Sequence, residues 1–235
     1  QAGKNRETEL YRFIGDANFE KKNYKEAIPY LEKFISGTRL SSKEDKYQLG
    51  YCYFQTEDYG KAIKLFTDVI GTPDTLTQNA YYMLGSSYLK TGDKKRAQMA
   101  FSASSNMNYD KFVQEESLFN FAKLAYENSY APFGEGIEAL TNYIQTYPSS
   151  DHLLEAYNYL VSAYLKLKNY QYALKSLDKI PNKDSRLKEA YQRVAYYRGV
   201  ELFRNKNFSE AVSMFDKSLT YKDMNKDLRA RATYW

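Results

Sequence analysis

One pattern returns six times along this chain, and a single copy could not fold alone. In Lys46–Ile70 a Leu-Gly step (Leu49, Gly50) precedes an aromatic pair (Tyr53, Phe54) and a polar break at Thr56–Asp58. Tyr59, the small residue Ala62, Phe66 and Val69 follow. Apolar residues stand three and four apart on both sides of the break, which describes two amphipathic helices joined by a tight turn. A hairpin of this size cannot bury both of its apolar faces, so it must stack on copies of itself.

The copies are in phase. Upstream stand Ile14-Gly15, Phe19, Tyr24, Ala27, Leu31 and Phe34; downstream stand Leu84-Gly85, Tyr88, Gly92-Asp93, Ala97 and Phe101. The fourth copy carries Phe121-Ala122, Tyr126, Gly136, Leu140 and Tyr143. The fifth has Leu160-Val161, Tyr164, Ala173 and Leu177, and the sixth has Gly199, Phe203, Phe208, Ala211 and Phe215. The steps between equivalent Leu positions are 35, 35, 37, 39 and 38 residues.

This pattern resembles the tetratricopeptide repeat, a helix–turn–helix unit of about 34 residues. The resemblance implies an all-α fold, a right-handed α-solenoid of six repeats plus the start of a seventh. One body over 1–235 is expected, with repeats near 7–38, 42–71, 76–105, 112–148, 151–181 and 185–220 and a partial seventh at 225–235. The chain departs from the family in three places. Later repeats are longer than usual, the fourth has extra turn residues and no Gly at its Leu-Gly step, and the sixth puts Arg198 where Leu is expected. Locally, Ser42 with Asp45 reads as a helix cap, and Gly37 reads as a helix stop. Pro29, inside a second helix, should kink it. The aromatic residues near Ser129–Gly134 should fold back on their hairpin.

Composition narrows the function. The 34 basic and 29 acidic residues are interspersed through every repeat rather than gathered into the basic stripe that nucleic acid requires. One Cys and one His exclude an internal disulfide and a two-His metal motif. Cys52 reads as a small buried hydrophobe, and His152 as a surface or capping residue beside a helix start. No phosphate-binding loop or nucleophile-elbow motif is present, so no enzyme activity and no metal or other cofactor is expected. No apolar run is long enough to span a membrane, and no signal peptide opens the given chain. Arg229–Trp235 looks like the opening of a further first helix, so the chain is expected to be a fragment of a longer repeat protein.

The excess is aromatic, with 25 Tyr, 13 Phe and 1 Trp. Much of it recurs at packing positions such as Tyr24, Tyr59, Tyr170 and Phe208. In the resembled family the first helices line a concave groove through residues two before, two after and five after the Leu. Those positions hold Arg12, Asp16 and Phe19; Tyr47, Tyr51 and Phe54; Tyr82, Ser86 and Leu89; and Phe119, Lys123 and Tyr126. In the fifth and sixth repeats they hold Asn158, Ser162 and Leu165, then Tyr196, Val200 and Phe203. Tyr47, Tyr51, Phe54, Tyr82, Phe119, Lys123, Tyr126, Tyr196 and Phe203 are therefore the candidate partner-binding residues. The same rings could instead complete packing between neighbouring helices. The Lys/Asn clamp for a terminal carboxylate, found in some family members, is not reproduced.

The resemblance thus implies a non-catalytic scaffold holding a protein or peptide segment by apolar contact in an aromatic-lined groove. The alternative is a glycan-binding helical-repeat protein of a bacterial envelope, where rings stack on sugars. The Tyr-, Lys- and Asn-rich style resembles envelope repeat proteins of Bacteroidetes, which suggests a periplasmic or cell-envelope location. Sugar binding would need adjacent coplanar exposed rings; a peptide groove would need a continuous strip.

Overall fold

The computed structural model describes residues 2–38, 41–128 and 134–235. Thirteen helices and no strand occur among them. They fall into two compact units, Gln1–Asn128 and Ser129–Trp235, each described by itself. The first holds α1 (Ala2–Glu20), α2 (Tyr24–Gly37), α3 (Lys43–Gln55), α4 (Tyr59–Val69), α5 (Thr75–Lys90), α6 (Lys94–Ser105) and α7 (Lys111–Asn128). The second holds α8 (Gly134–Thr146), α9 (Leu153–Lys166), α10 (Tyr170–Asp178), α11 (Ser185–Arg204), α12 (Phe208–Leu219) and α13 (Lys226–Tyr234). The fourth repeat is divided: α7 closes one unit and α8 opens the other. The aromatic turn expected before Gly134 falls on 129–133, outside the described residues.

Within the first unit α1 pairs with α2, α3 with α4 and α5 with α6, and each hairpin stacks on the next through α2 on α3, α4 on α5 and α6 on α7. The second unit repeats the scheme from α8 to α13. The core is one set of positions used over and over. Ala27, Ala62, Ala97, Gly136, Ala173 and Ala211 are all buried. Four residues on from each, Leu31, Phe66, Phe101, Leu140, Leu177 and Phe215 are buried too. Burying each of these large side chains contributes about 1.5–3 kcal/mol. The Leu-Gly step has a steric cause. A methyl group on Gly85 would lie 2.8 Å from the Phe101 ring, and one on Gly199 would lie 2.7 Å from Phe215. The first helix therefore presents bare backbone to the ring of its partner helix.

The turns inside the hairpins share one geometry. Lys22, Glu57, Gly92, Lys168 and Lys206 all have φ between 55° and 83°. Each is followed by Asn or Asp, whose N–H donates to a carbonyl five residues back. Asn23 donates to Asn18 at 2.8 Å, Asp58 to Tyr53 at 2.9 Å and Asp93 to Tyr88 at 2.9 Å. This closes the first helix through a left-handed residue. Asp58 and Asp93 then cap the second helix, accepting from Lys61 N–H at 3.2 Å and Arg96 N–H at 3.0 Å.

Two buried glutamines hold the loops between repeats. Gln78 has no solvent exposure. Its Nε2 donates to the carbonyls of Met107 and Asp110, both at 3.1 Å. Its Oε1 accepts from Tyr109 N–H at 3.0 Å and Asp110 N–H at 2.8 Å. Asp110 in turn caps α7 by accepting from Val113 N–H at 3.0 Å. Gln192, at the equivalent place in the sixth repeat, clasps Asn225 through its carbonyl at 3.0 Å and its N–H at 2.8 Å. Asn225 caps α13, with Leu228 N–H 3.1 Å away. Where repeats one and two bury Phe34 and Val69, these two repeats bury Ser104 and Ser218. The two hydroxyls donate to the carbonyls of Gln78 and Gln192 at 3.0 and 2.8 Å. A side-chain amide acts here as a surrogate strand, meeting one backbone donor and one acceptor at once.

One local expectation is amended. Gly37 is the last residue of α2 rather than the residue beyond it, and extended Thr38 (φ −126°) is the cap. No left-handed step is used there, so glycine is not required by its φ. Pro29 lies inside α2, where the spacing places it. The capping box is present: Asp45 N–H donates to Ser42 Oγ at 3.2 Å, and Ser42 N–H to Asp45 Oδ2 at 2.7 Å.

Candidate functional site

The predicted groove residues divide between the units, seven on α3, α5 and α7 and two on α11. Most have ring partners. Tyr51 closes a triangle with Phe19 and Tyr24, with centroids 5.7–5.8 Å apart and every pair edge-on. Tyr47 lies 5.4 Å from Phe66, and burial pushes its hydroxyl pKa up to about 12. Phe54 meets Tyr59 at 5.6 Å and Tyr82 meets Phe101 at 5.8 Å. Phe119 is buried; Lys123 and Tyr126 are half-buried and have partners of their own. In the second unit Tyr196 is buried between Tyr197 (5.4 Å) and Phe215 (5.9 Å). Phe203 is 38% exposed and packs on Phe208 and Trp235.

Packing between the two helices of a repeat, and between neighbouring repeats, thus occupies much of this aromatic surface. The pairs are mainly edge-on or tilted, as the ring quadrupole favours. Arg12, the groove position of the first repeat, is committed as well. Its Nη2 lies 3.1 Å from Oδ1 of buried Asp45, tying α1 to the capping box of α3.

The second unit holds a formed opening. Among neighbouring first helices, α3 packs on α5, α5 on α7 and α11 on α13. Between α9 and α11 lies instead a cleft of about 640 Å³. Asn158, Ser162 and Leu165, the three groove positions of the fifth repeat, line one wall; Arg186, Glu189 and Arg193 line the other. Leu154, the fifth-repeat counterpart of Gln78 and Gln192, has no amide, and it is 42% exposed. This junction lacks the clasp found at the other two. Among the described residues, the polar groups of Asn158, Ser162, Arg186 and Arg193 have no hydrogen-bond or ion-pair partner. Tyr159, deeper along α9, donates its hydroxyl to Glu155 Oε1 at 3.2 Å.

The groove spacing missed Arg186, Glu189 and Arg193 because they stand twelve, nine and five residues before the Leu position, outside the three offsets that define the groove; Arg186 lies in the N-terminal extension of α11. Its 20 residues were the available signal. Chemically the cleft offers hydrogen bonds, two guanidinium groups and a short apolar stretch. Burial lifts the Cys52 thiol to about 12, so it is neutral. His152 occupies the N-cap position of α9 and makes no side-chain capping bond. Among the described residues no His, Cys, Asp and Glu cluster could hold a metal, and no helix is long and apolar enough to cross a membrane.

Residues 20–104 match the model of the family described as anaphase-promoting complex, cyclosome, subunit 3. No curated protein matches the sequence. Several solved structures share the fold. The C-terminal part of a TPR repeat-containing protein from Cytophaga hutchinsonii superposes with a TM-score of 0.58 at 16% identity, over 90% of this chain and 79% of that one. MamA from Desulfovibrio magneticus RS-1 gives 0.53 at 21% identity, over 74% and 92%. Pseudomonas aeruginosa PilF gives 0.51 at 12% identity, over 99% and 100%.

Proposed function

We propose that this chain, whose fold is that of the tetratricopeptide-repeat proteins, is a non-catalytic scaffold that binds a peptide or protein segment on the faces of its first helices. One observation carries the reading: a cleft of about 640 Å³ is already open between α9 and α11, and the side chains of Asn158, Ser162, Arg186 and Arg193 on its walls are unengaged. Volumes of this order suit small ligands and short chain segments, and polar groups left unpaired in a concavity favour an incoming partner that can satisfy them. The rings of the first unit play a supporting part. Tyr47, Tyr51, Phe54 and Tyr82 are only half-buried, so they add apolar contact from a rigid, preorganised surface.

The test is selection of displayed random peptides on the whole chain, followed by affinity measurement on two variants. Ser162→Trp fills the cleft from an exposed position and should weaken selected peptides by about tenfold or more. Tyr51→Phe with Phe54→Leu alters the aromatic face with little loss of packing. Peptides that bind Ser162→Trp as tightly as the parent would refute the cleft as the site. Sensitivity to the aromatic pair instead would move the site to the first unit.

A further inference from the structure

The two arginines of the cleft differ in their surroundings from Arg198 and Arg231 of the same unit. Arg198 is paired with Glu201 at 2.7 Å and Arg231 with Asp227 at 3.0 Å. Arg186 and Arg193 have no acid partner. Glu189 stands between them on α11 without an ion pair to either, and Glu155 across the cleft accepts from Tyr159. Seven residues separate the two arginines, so they share one stripe of the helix about 10 Å apart along its axis. The charge of the chain is also uneven. Residues 129–235 carry 16 Lys and Arg against 12 Asp and Glu, whereas residues 1–128 carry 18 against 17. Four of the five net positive charges therefore belong to the unit that holds the cleft.

The opposite wall supplies a second function. Asn158 presents an unpartnered side-chain amide. Elsewhere in this molecule, side-chain amides do one thing repeatedly: Gln78 and Gln192 each grip the N–H and C=O of a single backbone residue. An asparagine facing a visiting chain can make the same two-point grip.

Resting on the binding reading above, we propose that the α9–α11 cleft takes an extended acidic peptide segment. Two of its carboxylate side chains meet Arg186 and Arg193, and Asn158 holds its backbone. In a polyproline-like conformation residues i and i+3 lie on the same side about 9 Å apart, which matches the arginine spacing. The preferred pattern is therefore acid-x-x-acid. Guanidinium–carboxylate contacts supply charge-assisted bonds, and at an exposed cleft they weaken with salt.

The experiment uses an immobilised positional-scanning set of short peptides, acetylated and amidated so that no terminal charge contributes, probed with the labelled whole chain. Retained peptides should carry Asp or Glu at two positions three apart. A labelled Glu-x-x-Glu peptide should bind about tenfold tighter than its Gln-x-x-Gln counterpart. The double variant Arg186→Gln, Arg193→Gln should abolish that preference. Arg204→Gln, unpaired but not among the cleft-lining residues, should preserve it. Raising NaCl from about 50 to about 500 mM should weaken the acidic peptide and spare the neutral one. Retained peptides that are blocked by Ser162→Trp yet show no acidic preference would overturn this proposal alone, as would a preference that survives loss of both arginines. If no peptide is retained, or Ser162→Trp has no effect, the binding reading falls with it.

Discussion

Gln192→Met should detach the end of the second unit. Methionine is close to glutamine in size and keeps the volume, so the change isolates the amide. It removes the acceptor of Asn225 N–H (2.8 Å) and the donor to Asn225 C=O (3.0 Å). Each orphaned buried group costs about 1–3 kcal/mol. Asn225 is only half-buried, and water reaching it discounts the sum to about 2–3 kcal/mol. The loss falls on α13, nine residues long and far too short to persist undocked. Trp235, the single tryptophan, lies 4.5 Å from Phe203 and 6.0 Å from Phe215, so its fluorescence reports that docking. In urea the Trp235 transition should move to lower concentration, ahead of the loss of helical circular dichroism. Gln192→Glu is the sharper variant. It keeps an acceptor but sets a carboxylate against the Asn225 carbonyl. At neutral pH it should therefore cost at least as much as Met, and part of the loss should return when acid protonates it to a donor. Gln78→Met breaks more bonds, to Tyr109, Asp110 and Met107, and should cost more than Gln192→Met. An unchanged Trp235 midpoint in Gln192→Met, or full stability of Gln192→Glu at pH 7, would refute the clasp.

Gly92 has φ +83°, and a Cβ placed on it would meet nothing within 4 Å, so a substitution there feels backbone strain alone. Gly92→Val should lower stability by about 1–2 kcal/mol in chemical denaturation, and Gly92→Asn by clearly less. Tyr47 and Cys52 are both raised to about 12, by burial above all, from 10.0 and 9.0. Their neutral forms are favoured in the folded state. That stability is complete below about pH 9, and it declines as pH rises through 9 to 12 while unfolded chains ionise first. A pH titration of urea midpoints should show the decline, and Cys52→Ala should remove its lower-pH part.

The repeat register was legible because it depends on spacing alone. Small residues at Ala27, Ala62, Ala97, Gly136, Ala173 and Ala211 are where two helices touch, and periodicity marks them without knowledge of any neighbour. The start of α3 followed from Ser42 and Asp45, whose capping box is present. The left-handed step at Lys22, Glu57, Lys168 and Lys206 was hidden, since only Gly92 announces it by residue type. Gln78 and Gln192 were hidden too, because glutamine is ordinarily a surface residue and its partners lie about thirty positions away.

The candidate site was legible only in part. Spacing groups Asn158, Ser162 and Leu165, which line one wall of the α9–α11 cleft, but its weight falls on the aromatic residues and leaves out Arg186 and Arg193. A ring at a groove position can spend its surface on its own hairpin or on a partner. That choice depends on how far the next first helix stands away, a distance between elements that no local pattern encodes. By itself, then, the sequence determined the hairpins, their stacking faces and the amino acids available to the first helices. Tertiary structure decided which rings Tyr51 and Tyr196 pack against, that two glutamines fasten the loops, and that a cleft opens between α9 and α11.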